Sequence, residues 1–200
     1  MPAQMEALMY AQLHAVRDNN FSELLALVDE TSFAFDTIVL FVEAAGCGRL
    51  EMCQWLHAVR ARNARARENS ALRWAATNGH LGVCQWLHAT FSLTTDDARS
   101  RDNDALRWAA KNGHLAVCQW LHATYGLTAA DARAGDSGAL CSATANGHLG
   151  VCQWLYSVGI HNWELYATTA TPTVAAWIRS RAVAARLRAL AAELLALADA

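Results

Sequence analysis

Several features are scarce or absent in this 200-residue chain, and their absence excludes whole classes of protein. There are only two prolines, and 54% of residues are hydrophobic against 17% charged, so an extended disordered chain is excluded. No apolar run is long enough to cross a membrane, and the first residues, MPAQMEALMYAQLHAV, lack the basic start and apolar run of a signal peptide. Strong charge of either sign is missing: the net charge of −2 gives no global pull towards nucleic acid or anionic lipid. Lysine is nearly absent too, with Lys111 alone among fifteen arginines. The glycines stand singly, so there is no phosphate-cradling loop, and no Ser-His-Asp or Cys-His set stands apart from the chain's internal repetition.

That repetition is exact over long stretches. The segment NGHLAVCQWLHATYGLTAADAR from Asn112 has a near copy 34 residues earlier, NGHLGVCQWLHATFSLTTDDAR from Asn78. Its first half returns 34 residues later as NGHLGVCQWLYSVG from Asn146, and a weaker copy, CGRLEMCQWLHAV, starts at Cys47. NARARENSALRWAA from Asn63 aligns without gaps on DARSRDNDALRWAA from Asp97. A period of this size marks a stacked array. Within it, Ala105–Lys111 has strong helix formers and ends at Asn112-Gly113, a natural stop. Leu115, Val117, Cys118, Trp120, Leu121 and His122 come after it at helical spacing. Each unit is therefore a helix pair that buries its apolar face only by stacking on its neighbours.

The pattern A-L-x-x-A-A-x-N-G-H-L-x-V-C-x-W-L resembles an ankyrin repeat, and most closely the divergent repeats of large DNA viruses and protists. Ala75-Ala76, Gly79-His80-Leu81, Val83 and Leu87 carry the resemblance, as do Ala109-Ala110, Gly113-His114-Leu115, Val117 and Leu121. Gly147-His148-Leu149, Val151 and Leu155 supply a third copy. The resemblance spans Leu13 to Ile178 and is strong from Asn63 to Leu155. It implies an all-α, ankyrin-type solenoid of about five or six helix-turn-helix repeats, degenerate at the ends, closed by a long C-terminal helix. Residues 1–178 are expected to form the array, and 179–200 the continuation of the capping helix. The family's T-P-L-H and finger segments are missing; LTTDDAR (Leu93–Arg99) and LTAADAR (Leu127–Arg133) stand in the finger. Thr94-x-x-Asp97 and Thr128-x-x-Asp131 are spaced as capping boxes, so a short helical turn is expected there in place of a β-hairpin.

Several constellations recur in register. Cys53, Cys84, Cys118 and Cys152 share one slot, about 8–10 Å apart if helices stack, which is beyond disulfide reach. They read as buried free thiols and point to a reducing compartment, cytoplasmic or nuclear. His80, Cys84 and His88, and again His114, Cys118 and His122, have a spacing that zinc sites use, but a stacked interface favours structural histidines. Tyr156 in place of a third such histidine weakens zinc further. Trp55, Trp86, Trp120 and Trp154 read as a packing ladder in preference to a nucleic-acid stacking row.

The arginine rows are the polar feature that repeats. Arg65, Arg99 and Arg133 share one slot, Arg67 and Arg101 a second, Arg73 and Arg107 a third. Local ion pairs with Glu68, Asp102 and Asp136 are the plain reading. If a partner binds, these arginines and Lys111 are the candidate contacts. After Pro172, Val183, Leu187, Leu190, Leu194 and Leu197 alternate steps of four and three, giving a sealing helix or, alternatively, a dimerising seam. The resemblance implies a non-enzymatic protein–protein interaction module without cofactor or metal. It also implies an adaptor whose partner is a host protein in a virus-infected cell. Nucleic acid and membrane are disfavoured as partners, and a monomer is favoured over a homodimer. Self-association through the C-terminal helix is the alternative, and a zinc protein using the His/Cys sets a distant one.

Overall fold

The computed structural model describes residues 2–29, 37–60, 66–128, 130–133, 138–159 and 168–198. Helices pair in chain order: α1 (Pro2–Arg17) with α2 (Phe21–Asp29), α3 (Thr37–Gly46) with α4 (Leu50–Arg60), and α5 (Ala66–Thr77) with α6 (Leu81–Phe91). The short α7 (Thr95–Ala98) leads into α8 (Ser100–Lys111) and α9 (Leu115–Tyr125). A 3₁₀ turn at Asp131–Arg133 leads into α10 (Ala139–Ala145) and α11 (Leu149–Ser157), and α12 (Pro172–Ala198) closes the chain. No strand occurs among the described residues. The expected all-α stack of repeats is what forms. The degenerate repeat expected at the C-terminal end of the array, up to Ile178, lies partly outside the described residues, and from Pro172 its remainder belongs to α12.

The first helices α1, α3, α5, α8 and α10 contact one another in order, and so do the second helices α4, α6, α9 and α11. Alanine makes the first row possible. Ala44-Ala45, Ala75-Ala76 and Ala109-Ala110 are fully buried, and their small side chains let neighbouring helices approach. Leu72, Leu87, Leu106, Leu121 and Leu155 fill the space between rows, each contributing about 1.5–3 kcal/mol by leaving water.

Each pair turns on Asn-Gly-His or its equivalent. The His114 amide donates to the Ala109 carbonyl (2.9 Å) and the Gly113 amide to Ala110 (3.2 Å), the two bonds of a Schellman stop. Gly113 takes φ +80°, which costs a side-chain-bearing residue strain. The same glycine is also a seat. A Cβ on Gly113 would lie 2.5 Å from Nδ1 of His148, because the imidazole of the next pair rests on it. His114 rests likewise on Gly79, and His80 on Gly48. Nε2 of His148 sits 2.8 Å from the Lys111 carbonyl, which fixes the ring over its seat. At the last turn the seat at Gly147 is taken by Thr171, just before α12, whose amide also donates to the Thr144 carbonyl (3.3 Å).

The finger segments are helical turns, as the capping-box spacing implies. Thr94 caps α7: its amide donates to Asp97 Oδ2 (2.8 Å), and the Asp97 amide returns to Thr94 Oγ1 (3.4 Å). Thr128 and Asp131 repeat the first of these bonds at 2.6 Å. At two places, just before the regular turns of α5 and α8, the backbone turns left-handed, which no sequence pattern announces. Arg67, Glu68 and Asn69 all adopt this conformation (φ 51°, 58° and 60°), and so do Arg101, Asp102 and Asn103 (φ 53°, 56° and 60°). Each such residue costs about 1–2 kcal/mol unless something holds it. The next repeat does so. Asn69 Nδ2 donates to Asp97 Oδ1 (3.2 Å), and Asn103 Nδ2 to Asp131 Oδ1 (3.4 Å). Ser100 Oγ adds a bond to the Glu68 carbonyl (3.2 Å). One aspartate thus caps its own turn and anchors the turn before it.

At the C-terminus the first turns of α12 are buried: Val174, Ala175 and Ile178 pack on the last pair, and Trp177 meets Tyr156 edge-on (5.9 Å). Val183, Leu187 and Leu190 are exposed.

Candidate interaction surface

The second-helix tryptophans are structural. Trp86, Trp120 and Trp154 are half-buried, and each meets a ring of the preceding repeat edge-on: His57 (6.1 Å), His88 (6.1 Å) and His122 (5.7 Å). Such T-shaped pairs bring the ring edge to the negative π face. Nδ1 of His88 lies 3.2 Å from the Leu93 carbonyl and Nδ1 of His122 approaches that of Leu127, so these histidines also pin the finger to the second helix. Tyr156, in the slot of the third histidine, passes the same contact on to α12.

The zinc alternative is corrected by this geometry. The members of each set point to different places: His114 to its glycine seat, Cys118 into the core, His122 to a carbonyl and an indole. Among the described residues, no group of three or more His, Cys, Asp or Glu is placed to hold a metal ion. All six cysteines are free thiols. Burial pushes Cys53, Cys84 and Cys118 up to about 12 and Cys152 to about 11, so these four are inert packing groups. Burial likewise lowers His80, which keeps its ring neutral on its seat.

The arginines separate into two groups. At the fingers, Arg99 clasps Asp131 through Nε (2.7 Å) and a terminal nitrogen (3.1 Å), joining consecutive repeats. That fork holds Asp131 well below the usual carboxylate range. Arg133 is exposed on the 3₁₀ turn, Arg67 is exposed within its left-handed turn, and Arg65 lies outside the described residues. The second group gathers on the first helices around one buried carboxylate. Asp104 accepts from Arg73 (2.9 Å), from Arg107 and from Trp108 Nε1 (3.2 Å), with Arg101 Nε 3.8 Å away. Arg101 also pairs with Glu68 at 3.2 Å. Lys111 Nζ stands 4.2 Å from the centre of the Trp108 ring, a cation–π contact.

Between α5 and α8 this group borders a cleft of about 290 Å³, lined by Arg73, Trp74 and Thr77 on one side and Asp104 and Trp108 on the other. On the far flank of Trp74 a second cleft of about 280 Å³ runs between α3 and α5, along Val42, Glu43 and Gly46. Trp74 is the ridge between them, 51% exposed, and Trp108 is 37% exposed. Neither indole stands out among the candidate contacts in the sequence. Their signal is the ALRWAA segment itself: with the alanine pair buried at the helix contact, the tryptophan before it falls at the rim. Of the eight basic residues that the sequence singles out, Arg73, Arg101 and Arg107 are brought together around Asp104, and Lys111 rests on the Trp108 ring.

Compared with known families, residues 72–122 match the model described as ankyrin repeats (many copies). No curated protein matches the chain.

Proposed function

We propose that this chain, which is an ankyrin repeat protein, is a non-enzymatic module that binds another protein across its first-helix faces and the adjoining finger turns. One observation carries the reading: Trp74 and Trp108 stand exposed on adjacent first helices, beside a cationic cluster, while the second-helix indoles are committed to packing. Exposed tryptophan and arginine are the residues that anchor protein interfaces. The contact set we infer is Arg65, Arg67, Arg73, Arg99, Arg101, Arg107, Lys111 and Arg133, with the two indoles at its centre. An adaptor acting on a host protein in the cytosol or nucleus is the finer form of this reading, and the four buried free thiols support a reducing compartment. No described helix is long and apolar enough to cross a membrane. The test is a photo-crosslinking residue introduced at Thr77, on the first-helix face, or at Gln119, exposed on α9, in the cells that make the protein. A discrete adduct is expected from position 77 and none from 119. Adducts from 119 alone would refute the surface assignment.

A second reading rests on α12. Val183, Leu187 and Leu190 form an exposed apolar line beyond the buried start of the helix, which supports pairing of two copies. Light scattering on the full chain and on one ending at Ala182 separates the two: a dimer lost on truncation favours self-association.

A further inference from the structure

We infer that the cleft between α5 and α8 takes one bulky, uncharged, apolar side chain of the partner protein, held between the indoles of Trp74 and Trp108. This deepens the proposed first-helix interface and rests on it. The slot that precedes the buried alanine pair holds Glu43 on α3, Trp74 on α5, Trp108 on α8 and Ser142 on α10. Of the gaps between these four helices, the one from α5 to α8 alone has an indole on both walls. Trp108 is fixed before anything binds: its Nε1 donates to Asp104 (3.2 Å), and Lys111 Nζ stands 4.2 Å from the centre of its ring. A wall already held in place loses little freedom when a partner arrives.

The lining disfavours charge of either sign. Arg73 is engaged by Asp104 (2.9 Å) and Ser70 Oγ (3.0 Å), and Arg101 by Glu68 (3.2 Å) and Asp104 (3.8 Å). Arg107 also pairs with Asp104, and Asp102 stands in the adjoining groove, so three guanidinium groups are matched by three carboxylates. Lys111 lies outside the lining. An entering carboxylate would meet no uncommitted cation, and an entering ammonium or guanidinium no uncommitted carboxylate. Either would give up its hydration with nothing to replace it. The uncharged polar side chains are engaged too: Thr77 Oγ1 donates to the Arg73 carbonyl (2.8 Å), and Asn112 Nδ2 to that of Thr77 (2.7 Å). The cleft therefore offers aromatic surface. Its volume of about 290 Å³ falls below the roughly 300–1,000 Å³ of small-molecule sites, so one Trp, Phe, Leu or Met side chain suits it better than a cofactor. The paired arginines then form the polar rim around an apolar centre.

The test pans a phage-displayed library of random peptides on the full-length chain, then measures the enriched peptides by fluorescence polarisation. Peptides that share one Trp, Phe, Leu or Met, with no fixed charge beside it, are the expected result. Changing that residue to Ala, Asp or Arg should weaken binding at least about thirtyfold, as for an interface anchor. Trp74→Ala and Trp108→Ala should each weaken it comparably, and the peptide-side changes read the same contact with the protein unaltered. Lys111→Met, or salt raised from about 0.1 to 1 M, should change the affinity less than about threefold. Circular dichroism and the thermal midpoint verify that the variants fold. Peptides that need Trp74 but carry a charged anchor, or lose about tenfold or more in affinity with salt, would overturn the inference and leave the interface standing. So would peptides that need Trp74 and are indifferent to Trp108→Ala. No enrichment, or binding undiminished on both tryptophan variants, would overturn both this inference and the interface.

Discussion

Replacing Gly113 by alanine tests the joint between repeats more directly than any core truncation. Two costs add at this position. The first is backbone strain, because φ is +80° and a Cβ there costs about 1–2 kcal/mol. The second is the imidazole of His148, whose Nδ1 would lie 2.5 Å from the new methyl. The ring cannot retreat without giving up its bond to the Lys111 carbonyl, worth about 1 kcal/mol. Gly113→Ala should therefore destabilise by about 2–3 kcal/mol, the sum of the strain and the lost bond. Two other glycines separate these contributions. Gly126 also has positive φ (61°) but has open space where its Cβ would go, so Gly126→Ala should cost the strain alone, about 1–2 kcal/mol. Gly82 lies on α6 with nothing within 4 Å, so Gly82→Ala should stabilise by up to about 1 kcal/mol. The assay is equilibrium urea unfolding with the slope compared across the series. Gly113→Ala combined with His148→Ala should cost less than the sum of the two single changes, because both give up the same bond. If Gly113→Ala costs no more than Gly126→Ala, the ring-on-glycine contact contributes nothing and the repeats are not joined through it.

The same geometry makes three other outcomes testable. Asp131 has its folded-state pKa depressed below the ordinary 3.8 by Arg99, so their bond contributes fully above that value and is lost as pH falls below it. Thermal midpoints of the wild type should drop steeply below about pH 4, and Asp131→Asn should flatten that limb while lowering the neutral-pH midpoint. Of the six thiols, Cys47 and Cys141 are half-exposed and should react with a thiol reagent at neutral pH, while Cys53, Cys84, Cys118 and Cys152 should wait for unfolding. Rapid labelling of all six in native protein would contradict the packing. Truncation after Ala182 should leave the thermal midpoint nearly unchanged because Val174 and Ile178 are retained, whereas truncation after Thr171 should unfold the last pair.

The repeat, the turn glycines and the buried slots were legible because each is a spacing, and a stacked array turns spacing directly into position. The arginine rows were legible as rows, but not their partners. That Arg99 reaches Asp131 of the next repeat while Arg73 reaches Asp104 depends on how far consecutive units are displaced, which no single unit encodes. The left-handed turns were hidden for another reason. Ala66–Trp74 reads as a good helix start, and only Asn69 hints at left-handed backbone. The run exists because Asp97, 28 residues away, is placed to hold it. Trp74 and Trp108 were hidden because an indole beside a buried alanine pair counts as core by periodicity, whereas the width of the helix contact leaves it outside.

The glycine seats give the array a direction. The units that turn at Gly79 and Gly113 each offer a seat on one side and insert a ring on the other, so the joint is the head-to-tail kind that can be repeated. An open seat at the last turn would accept the ring of one more unit, and the array would lengthen. Thr171 occupies that position at Gly147, so a single threonine with the helix behind it decides where assembly stops. Lengthening the protein by a whole unit then requires no new joint, only that the stopper stay last.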